Sequence, residues 1–395
     1  MAPAVSPPGA TEPPRDATWA GKGVGLREVL TRLDSMHKEM ARIDWEPDRW
    51  EHTHPRSCVM NIVAVAPDVA AARTARASLR HLSSAHPARI VVVVPDDRGT
   101  GLDAEIRSEA RRLDMGGALQ TEDVMLHVRG EAAGHMASIL EPFLVSDVRT
   151  HVWWLGTPPA EMAGFRGALD LADTLIVDSA HFERPFAAFI KLAELARQMD
   201  GRVCLTDLQW ARVQPWRSAV SQFFGPSERR PFLEGINGIG IDYVGEARAN
   251  RAAAVLLAGW LISTLDWRLK RAVGGQGGTV AAYFESPKGS PVEVASRSVR
   301  PDHYAVAEEG ELTAFRLYAV ARGRTCQVVI QRDSEDPGRA SMTMEIGGGD
   351  PITGTLMLGR VEESELLARL LVTGRPDAVY GRALQSGAEL LSAFL

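Results

Sequence analysis

Two short apolar runs narrow the fold of this chain more than any other feature. They are VMNIVAVAP at 59–67 and ARIVVVVPDD at 88–97, both rich in β-branched residues and ending in Pro or Asp. An alanine-rich stretch, 68–86, separates them. Strand, helix, strand is the pattern of a βαβ unit, and strands without alternation are covered on both faces. The rhythm resumes with HVWWLG (151–156), TLIVDSA (174–180) and RVCLTDL (202–208), spaced by helices expected over 131–145, 159–172 and 185–199. That is an open, mostly parallel sheet. Between the two halves, LDAEIRSEA (102–110) and EDVMLHVRG (122–130) alternate apolar or small residues with polar ones, Met125 excepted. Period two gives strands with one wet face. An antiparallel hairpin is therefore expected at the sheet edge, a helix over 102–114 being the alternative.

Ahead of the sheet, Leu26, Leu30, Leu33, Met36, Met40 and Ile43 fall three and four apart and put an apolar stripe on a helix. Behind it the character changes. INGIGIDYV (236–244) reads as a strand and 247–272, carrying LLAGWLISTLDWRLK, as a helix. GGQGG follows at 274–278, then TVAAYFES, VEVASRSV, LTAFRLYAV, TCQVVIQRD and SMTMEIG as alternating strands, and two helices at 361–373 and 376–394. The fold class expected is α/β: a doubly wound, mostly parallel sheet in the N-terminal half, followed by an α+β C-terminal region with an antiparallel meander and terminal helices. With 395 residues, 45% of them hydrophobic, the chain can bury more than one core. The expected divisions are a disordered Pro/Ala-rich tail at 1–23, a helix and loop at 24–55, a Rossmann-like α/β domain at 56–225 and an α+β domain at 226–395.

Chemistry is harder to find. A net charge of -6 leaves no basic footprint for nucleic acid or an anionic membrane. The longest apolar run, AAAVLLAGWLI at 252–262, is shorter than the roughly 20 residues that span a bilayer. The start of the chain lacks the basic and apolar regions of a signal peptide. Cys58, Cys204 and Cys326 lie far apart with no C-x-x-C, which points to a reducing, cytoplasmic setting and inert thiols. His52, His54 and Cys58 match no closed metal site, and His127 and His135 read as satisfied polar groups, so no metal is expected. GGQGGT lacks the Lys-Ser/Thr of a phosphate loop and follows an expected helix where a dinucleotide loop follows a strand. The first βα turn, APDVAAAR, has no glycine, so no cofactor is expected either. No G-x-S-x-G occurs, and Glu308-Glu309 and Glu362-Glu363 read as solvated turns or a helix start.

What remains is aromatic. Trp153-Trp154 closes one strand ahead of Pro158, and Asp207, Trp210, Arg212, Pro215, Trp216 and Arg217 follow another in TDLQWARVQPWR, residues 206–217. The carboxyl ends of the strands form the ligand or partner edge of an open α/β sheet, and Trp and Arg are enriched in interface hot spots. The competing reading is a core of indoles with arginines stacked on them. For the two clusters together the expectation is an exposed rim that meets a partner. The alternative, from another class, is a sugar-phosphate-binding enzyme or sensor on the same rim, with Arg212, Arg217 and His151 as the holding groups.

HVWWLGTPP, TDLQWARVQPWR and LLAGWLISTLDW, in this order and spacing, resemble the glucose-6-phosphate dehydrogenase assembly protein family, OpcA. RSCVMNIVAVAP and SQFFGPSERRPFLEGI are similar to that family's first strand and to its segment after the Trp-Arg motif; the likeness runs from about residue 24 to the C-terminus. The resemblance implies a non-catalytic protein that binds glucose-6-phosphate dehydrogenase in a hetero-oligomer and favours its active form. It thereby implies greater oxidative pentose phosphate flux and NADPH supply. On this reading the tryptophans, prolines and arginines named above, with Asp207, are partner-binding or signature residues without a catalytic role. The cysteine-linked redox control of some phototrophic members does not carry over to Cys58, Cys204 or Cys326.

Overall fold

The computed structural model describes residues 15–41, 58–83, 86–112, 118–246, 249–274, 279–300, 308–359, 361–373 and 376–394. The β-branched runs form β2 (Met60–Val65) and β3 (Ala88–Asp96), parallel neighbours connected by α2 (Val69–Ser83). Every residue of β2 is buried, the one polar residue, Asn61, with its amide bonded to the backbone of Val145 and to Thr150. α2 turns Ala72, Ala75, Leu79 and Leu82 inward at helical spacing. β5 (Ala118–Arg129) runs parallel to β3, and β6 (Arg149–Trp154) parallel to β2. β4 (Gly101–Arg112) pairs antiparallel with β5, the hairpin that period two demanded, but it is not at the sheet edge as expected, because residues 15–21 pair along the outer side of β4; Gly116-Gly117 lies outside the described residues. With β1 (Arg15–Gly21), β7 (Thr174–Val177) and β8 (Cys204–Asp207), the order of this sheet is β1-β4-β5-β3-β2-β6-β7-β8. α1 (Leu26–Ala41) buries Val29, Leu33, Met36 and Met40; Ile43 lies outside the described residues.

Two expectations fail in this half. Residues 15–21 are not tail: they form β1, antiparallel to β4, with Trp19 opposite Ile106. The proline bias of the N-terminus ends at Pro14, and the seven residues beyond it carry no proline. The helix expected over 131–145 is broken into a 3-10 turn at Gly130–Gly134, a single turn α3 (Met136–Leu140) and a second 3-10 turn at Glu141–Phe143. Gly134 and Pro142 interrupt what the apolar spacing would continue. α4 (Ala163–Asp170) and α5 (Pro185–Met199) stand where expected.

β8 runs into three short helices that periodicity did not reveal, α6 (Leu208–Arg212), α7 (Gln214–Phe223) and α8 (Arg230–Glu234). The second sheet comprises β9 (Ile236–Val244), β10 (Arg268–Gly274), β11 (Val280–Glu285), β12 (Pro291–Val299), β13 (Leu312–Ala321), β14 (Arg324–Arg332), β15 (Arg339–Ile346) and β16 (Ile352–Met357). Its order is β10-β11-β12-β9-β13-β14-β15-β16, antiparallel throughout except that β12 runs parallel to β9. The helix expected over 247–272 is α9 (Ala252–Thr264) only. Asp266 turns the chain with a φ of 52°, and the basic, helix-favouring RLKR that follows Trp267 pairs with β11 as the start of β10. Strand pairing overrides local propensity there. GGQGG therefore joins two strands, with 275–278 outside the described residues. α10 (Glu363–Thr373) and α11 (Ala378–Ser392) close the chain. α9 and α11 cross at glycines: a Cβ on Gly259 would stand 2.2 Å from the Ala383 carbonyl oxygen.

The chain forms two compact units, Met1–Leu155 with Pro159–Leu175, and Gly156–Pro158 with Ile176–Leu395. The division falls inside the stretch 56–225 read as one domain. α11 packs on both α9 and α5, so the chain from Ile176 onward folds with the C-terminal half. Among the described residues no helix is long and apolar enough to cross a membrane.

Candidate functional site

Two carboxylates follow two strand ends of the second unit. Asp178 succeeds β7 and Asp207 ends β8. Asp207 is fully buried; its Oδ1 accepts from the backbone N–H of Ser179 at 3.0 Å and of Gln209 at 2.9 Å, capping α6. Tyr380 donates its hydroxyl to Oδ2 at 3.4 Å. Burial, then the charge of Asp178, pushes the Asp207 carboxyl up to about 6. Asp178 is the opposite case. Burial opposes its charge, but His181 and Arg212 hydrogen-bond to it and hold it at about 2. Arg212 grips it with two bonds, Nη1 to Oδ1 at 2.6 Å and Nη2 to Oδ2 at 2.8 Å, and His181 Nδ1 lies 2.9 Å from Oδ2. The Asp178 bond raises the imidazole of His181 above its ordinary value. The two aspartates thus sit in contrasting environments at the ends of two neighbouring strands.

The tryptophans of the motif are fastened around this pair. Trp210 is buried and donates Nε1 to Asp377 Oδ2 at 2.7 Å, while Asp377 caps α11 through the N–H groups of Val379 and Tyr380. The guanidinium of Arg217 lies 3.4 Å from the centre of the Trp210 ring and donates to the Trp210 carbonyl at 3.2 Å. Burial brings Arg217 down to about 10. Pro215, in the first turn of α7, fits a position where no N–H is needed, and Trp216, one residue on, is 2% exposed. The Trp-Arg motif therefore ties α6 and α7 to the start of α11.

Beside this segment opens a cavity of about 640 Å³, and all its walls belong to the second unit. Trp216 and Arg212 form one wall with His181 and Asn250. Asn250 is pinned by donating to the carbonyls of Ser179 and Ala180, both at 2.8 Å. The rest of the lining includes Glu309 and Glu311 before β13, and Glu362 and Glu363 at the start of α10. Burial, then Asp178, raises the Glu363 carboxyl. The arginines of the lining are engaged: Arg212 with Asp178, Arg332 with the Leu312 and Pro337 carbonyls, Arg369 with Glu365. The lining holds five glutamates, Glu308, Glu309, Glu311, Glu362 and Glu363, against three arginines, an acidic balance that favours a basic group over a phosphate.

The indoles are not an exposed rim. Trp153 and Trp154 are buried in the first unit, Trp154 edge-on to Phe165 at 4.9 Å, and Pro158 is buried too. His151 is 2% exposed on β6, and burial depresses its basicity. Of the predicted motif residues, Arg212, Pro215 and Trp216 line the cavity, whereas Asp207, Trp210 and Arg217 brace it from behind. Sequence reasoning missed Asp178, His181, Asp377 and Tyr380. The first had a signal: an aspartate immediately after an apolar strand, where α/β sheets place functional groups. Cys326 is buried with its thiol pushed up, and Cys58 donates to the Met60 carbonyl at 3.1 Å. His52 and His54 lie outside the described residues, among which no metal-holding cluster occurs.

The family model described as the glucose-6-phosphate dehydrogenase subunit N-terminal domain, of OpcA, matches residues 79–194, and its C-terminal counterpart matches residues 203–384. A protein named putative OxPP cycle protein OpcA, from Synechocystis sp., is 26% identical over 312 residues, which cover 77% of this chain and 63% of that protein. Its namesake from Synechococcus elongatus is 26% identical over 314 residues, covering 77% of this chain and 67% of that protein. The match thus spans less than two thirds of the length of the Synechocystis relative. Among solved structures, an oxidoreductase from Sinorhizobium meliloti superposes with a TM-score of 0.49 at 10% identity, over 85% of this chain and 96% of that one. A likeness of that size carries no argument about function.

Proposed function

The chain belongs to the OpcA family of glucose-6-phosphate dehydrogenase assembly proteins, and we propose from that premise that it is a non-catalytic partner of that dehydrogenase. It binds the enzyme in a cytoplasmic hetero-oligomer and favours the active form, raising oxidative pentose phosphate flux and NADPH supply. The observation that carries this reading is the family match over both halves of the chain. The site geometry supports it. Asp178, Arg212 and His181 are committed to one another, and Asp207 to a helix cap and Tyr380, so these groups hold a shape. A helper needs no more chemistry than this, because a protein that binds the active conformation better shifts the population toward it. The shift equals the difference in binding free energy, typically about 1–3 kcal/mol.

In this reading the Trp-Arg motif braces the cavity, and the carboxylates opposite it receive basic side chains of the dehydrogenase. The deciding experiment is the initial rate of glucose-6-phosphate dehydrogenase from the same organism against glucose 6-phosphate, with and without this protein. A saturable fall in KM or rise in kcat is expected. No change over a wide concentration range, with no co-elution on sizing, would refute the reading.

A further inference from the structure

The second sheet buries one face and leaves the other open along β13 and β14. On β13, Leu317 and Ala319 are buried while Tyr318 and Val320 between and beyond them are 42% and 47% exposed. On β14, Cys326, Val328 and Ile330 are buried, and Thr325 and Gln327 are exposed. The open face therefore has a defined set of side chains, and the strand register places them in rows across the sheet.

One row is centred on Gly238 of β9. On one side of it lie Glu293, Tyr283 and Arg271, and on the other Tyr318, Gln327 and Glu345. Arg271 stacks over Tyr283 with its guanidinium 4.3 Å from the ring centre, and the Tyr318 side chain comes within 3.5 Å of where a Cβ on Gly238 would stand. Read from either end the row complements itself. We propose that this face is where two copies of the chain meet, related by a two-fold axis lying between the sheets along β9.

That axis reverses the row of the second copy. Arg271 then faces Glu345 of the other copy, Tyr283 faces Gln327, Glu293 faces the Tyr318 hydroxyl, and Gly238 faces itself. The next row obeys the same operation. Val273 meets Thr343, Ala281 meets Val329, Ala295 meets Arg316, and Gly240 meets itself. In the first row the facing groups are oppositely charged or can hydrogen-bond, in the second small groups predominate, and no like charges coincide in either row. Asp242, the next outward residue of β9, is neutralised by Arg297 at 2.6 Å and Arg316 at 2.9 Å, so its approach to its own copy is not repulsive. Isologous contact requires this kind of self-complementarity. Small central residues suit two sheets stacked about 10 Å apart. From β10 to β15 at about 4.8 Å per strand, over about 20 Å of strand, the face offers roughly 600 Å² a side, the lower end of specific interfaces.

Sedimentation equilibrium on the full chain alone tests this, independently of any dehydrogenase. The expected species at micromolar concentration has twice the 42.9 kDa mass of the chain. Glu345→Arg and Arg271→Glu, both at exposed positions, should each raise the dimer dissociation constant about tenfold, because each creates two like-charge contacts. The double variant Arg271→Glu/Glu345→Arg should return to within about threefold of the original, since both cross-copy pairs are re-formed. A chain that remains monomeric, a dimer indifferent to both single reversals, or a double variant as weak as the singles would each overturn the proposal.

Discussion

Asp207→Asn replaces the buried carboxylate with a neutral amide of nearly the same shape. Its oxygen can still accept from Ser179 and Gln209, and its NH2 can donate to the Tyr380 oxygen. In the folded protein the Asp207 carboxyl keeps its proton up to about pH 6, against 3.8 as the ordinary value. Between those values the native state binds the extra proton, so stability falls as pH rises through the window. Above it the native protein carries the whole cost of a buried charge, about 3 kcal/mol at about 1.4 kcal/mol per pKa unit. The asparagine does not titrate. The variant should therefore be more stable than the native protein by up to about 3 kcal/mol near pH 7.5, and by little near pH 4. Urea unfolding of both proteins across that range, followed by tryptophan fluorescence, gives the difference directly, because groups shared by the two cancel. A native protein more stable than the variant at pH 7.5 would show that the Asp207 anion is stabilising, and the argument from burial would be wrong.

Asp178→Asn should act in the other direction. A carboxyl held at about 2 contributes stability above 3.8 that is lost as pH falls through 2. Removing it leaves partly buried Arg212 without its bidentate partner, at a cost of about 2 kcal/mol at neutral pH by the same urea assay. The His181 imidazole, raised first by its Asp178 bond, should then titrate lower in proton NMR. Trp216→Ala opens a large hole in a 2% exposed position and should cost about 3–5 kcal/mol, read as a lowered urea midpoint. Glu363→Gln should raise stability slightly at neutral pH, because burial and then Asp178 oppose its charge, yet weaken dehydrogenase binding severalfold in a titration, since the cavity receives a basic group. Deleting residues 1–21 removes β1, bares the edge of β4 and should lower the melting temperature.

How much of this was legible in the sequence follows from the range of each interaction. Unbroken β-branched runs dictate strands covered on both faces, so β2 and β3 were readable, and strict alternation gave β4, β5 and the meander β11 to β15. β10 was not, because Trp267, Arg268, Leu269, Lys270 and Arg271 suit a helix, and only the partner strand β11, closed after an unreadable glycine loop, decides otherwise. β1 was hidden by the prolines beside it, although its edge pairing needs no apolar run. The site divides in the same way. TDLQWARVQPWR stood out by composition, and its position after a strand was right. Its surroundings come from elsewhere in the chain: Asp178 and His181 precede it by about thirty residues, and Asp377 and Tyr380 follow it by some 170. Composition flags aromatic and basic residues, but whether an indole is a rim or a brace depends on what packs over it. Trp210 is a brace because an aspartate at the cap of α11 takes its N–H and an arginine seven residues on covers its face. With those partners in place, the motif meets the cavity along one edge, where Arg212, Pro215 and Trp216 share the lining with the glutamates.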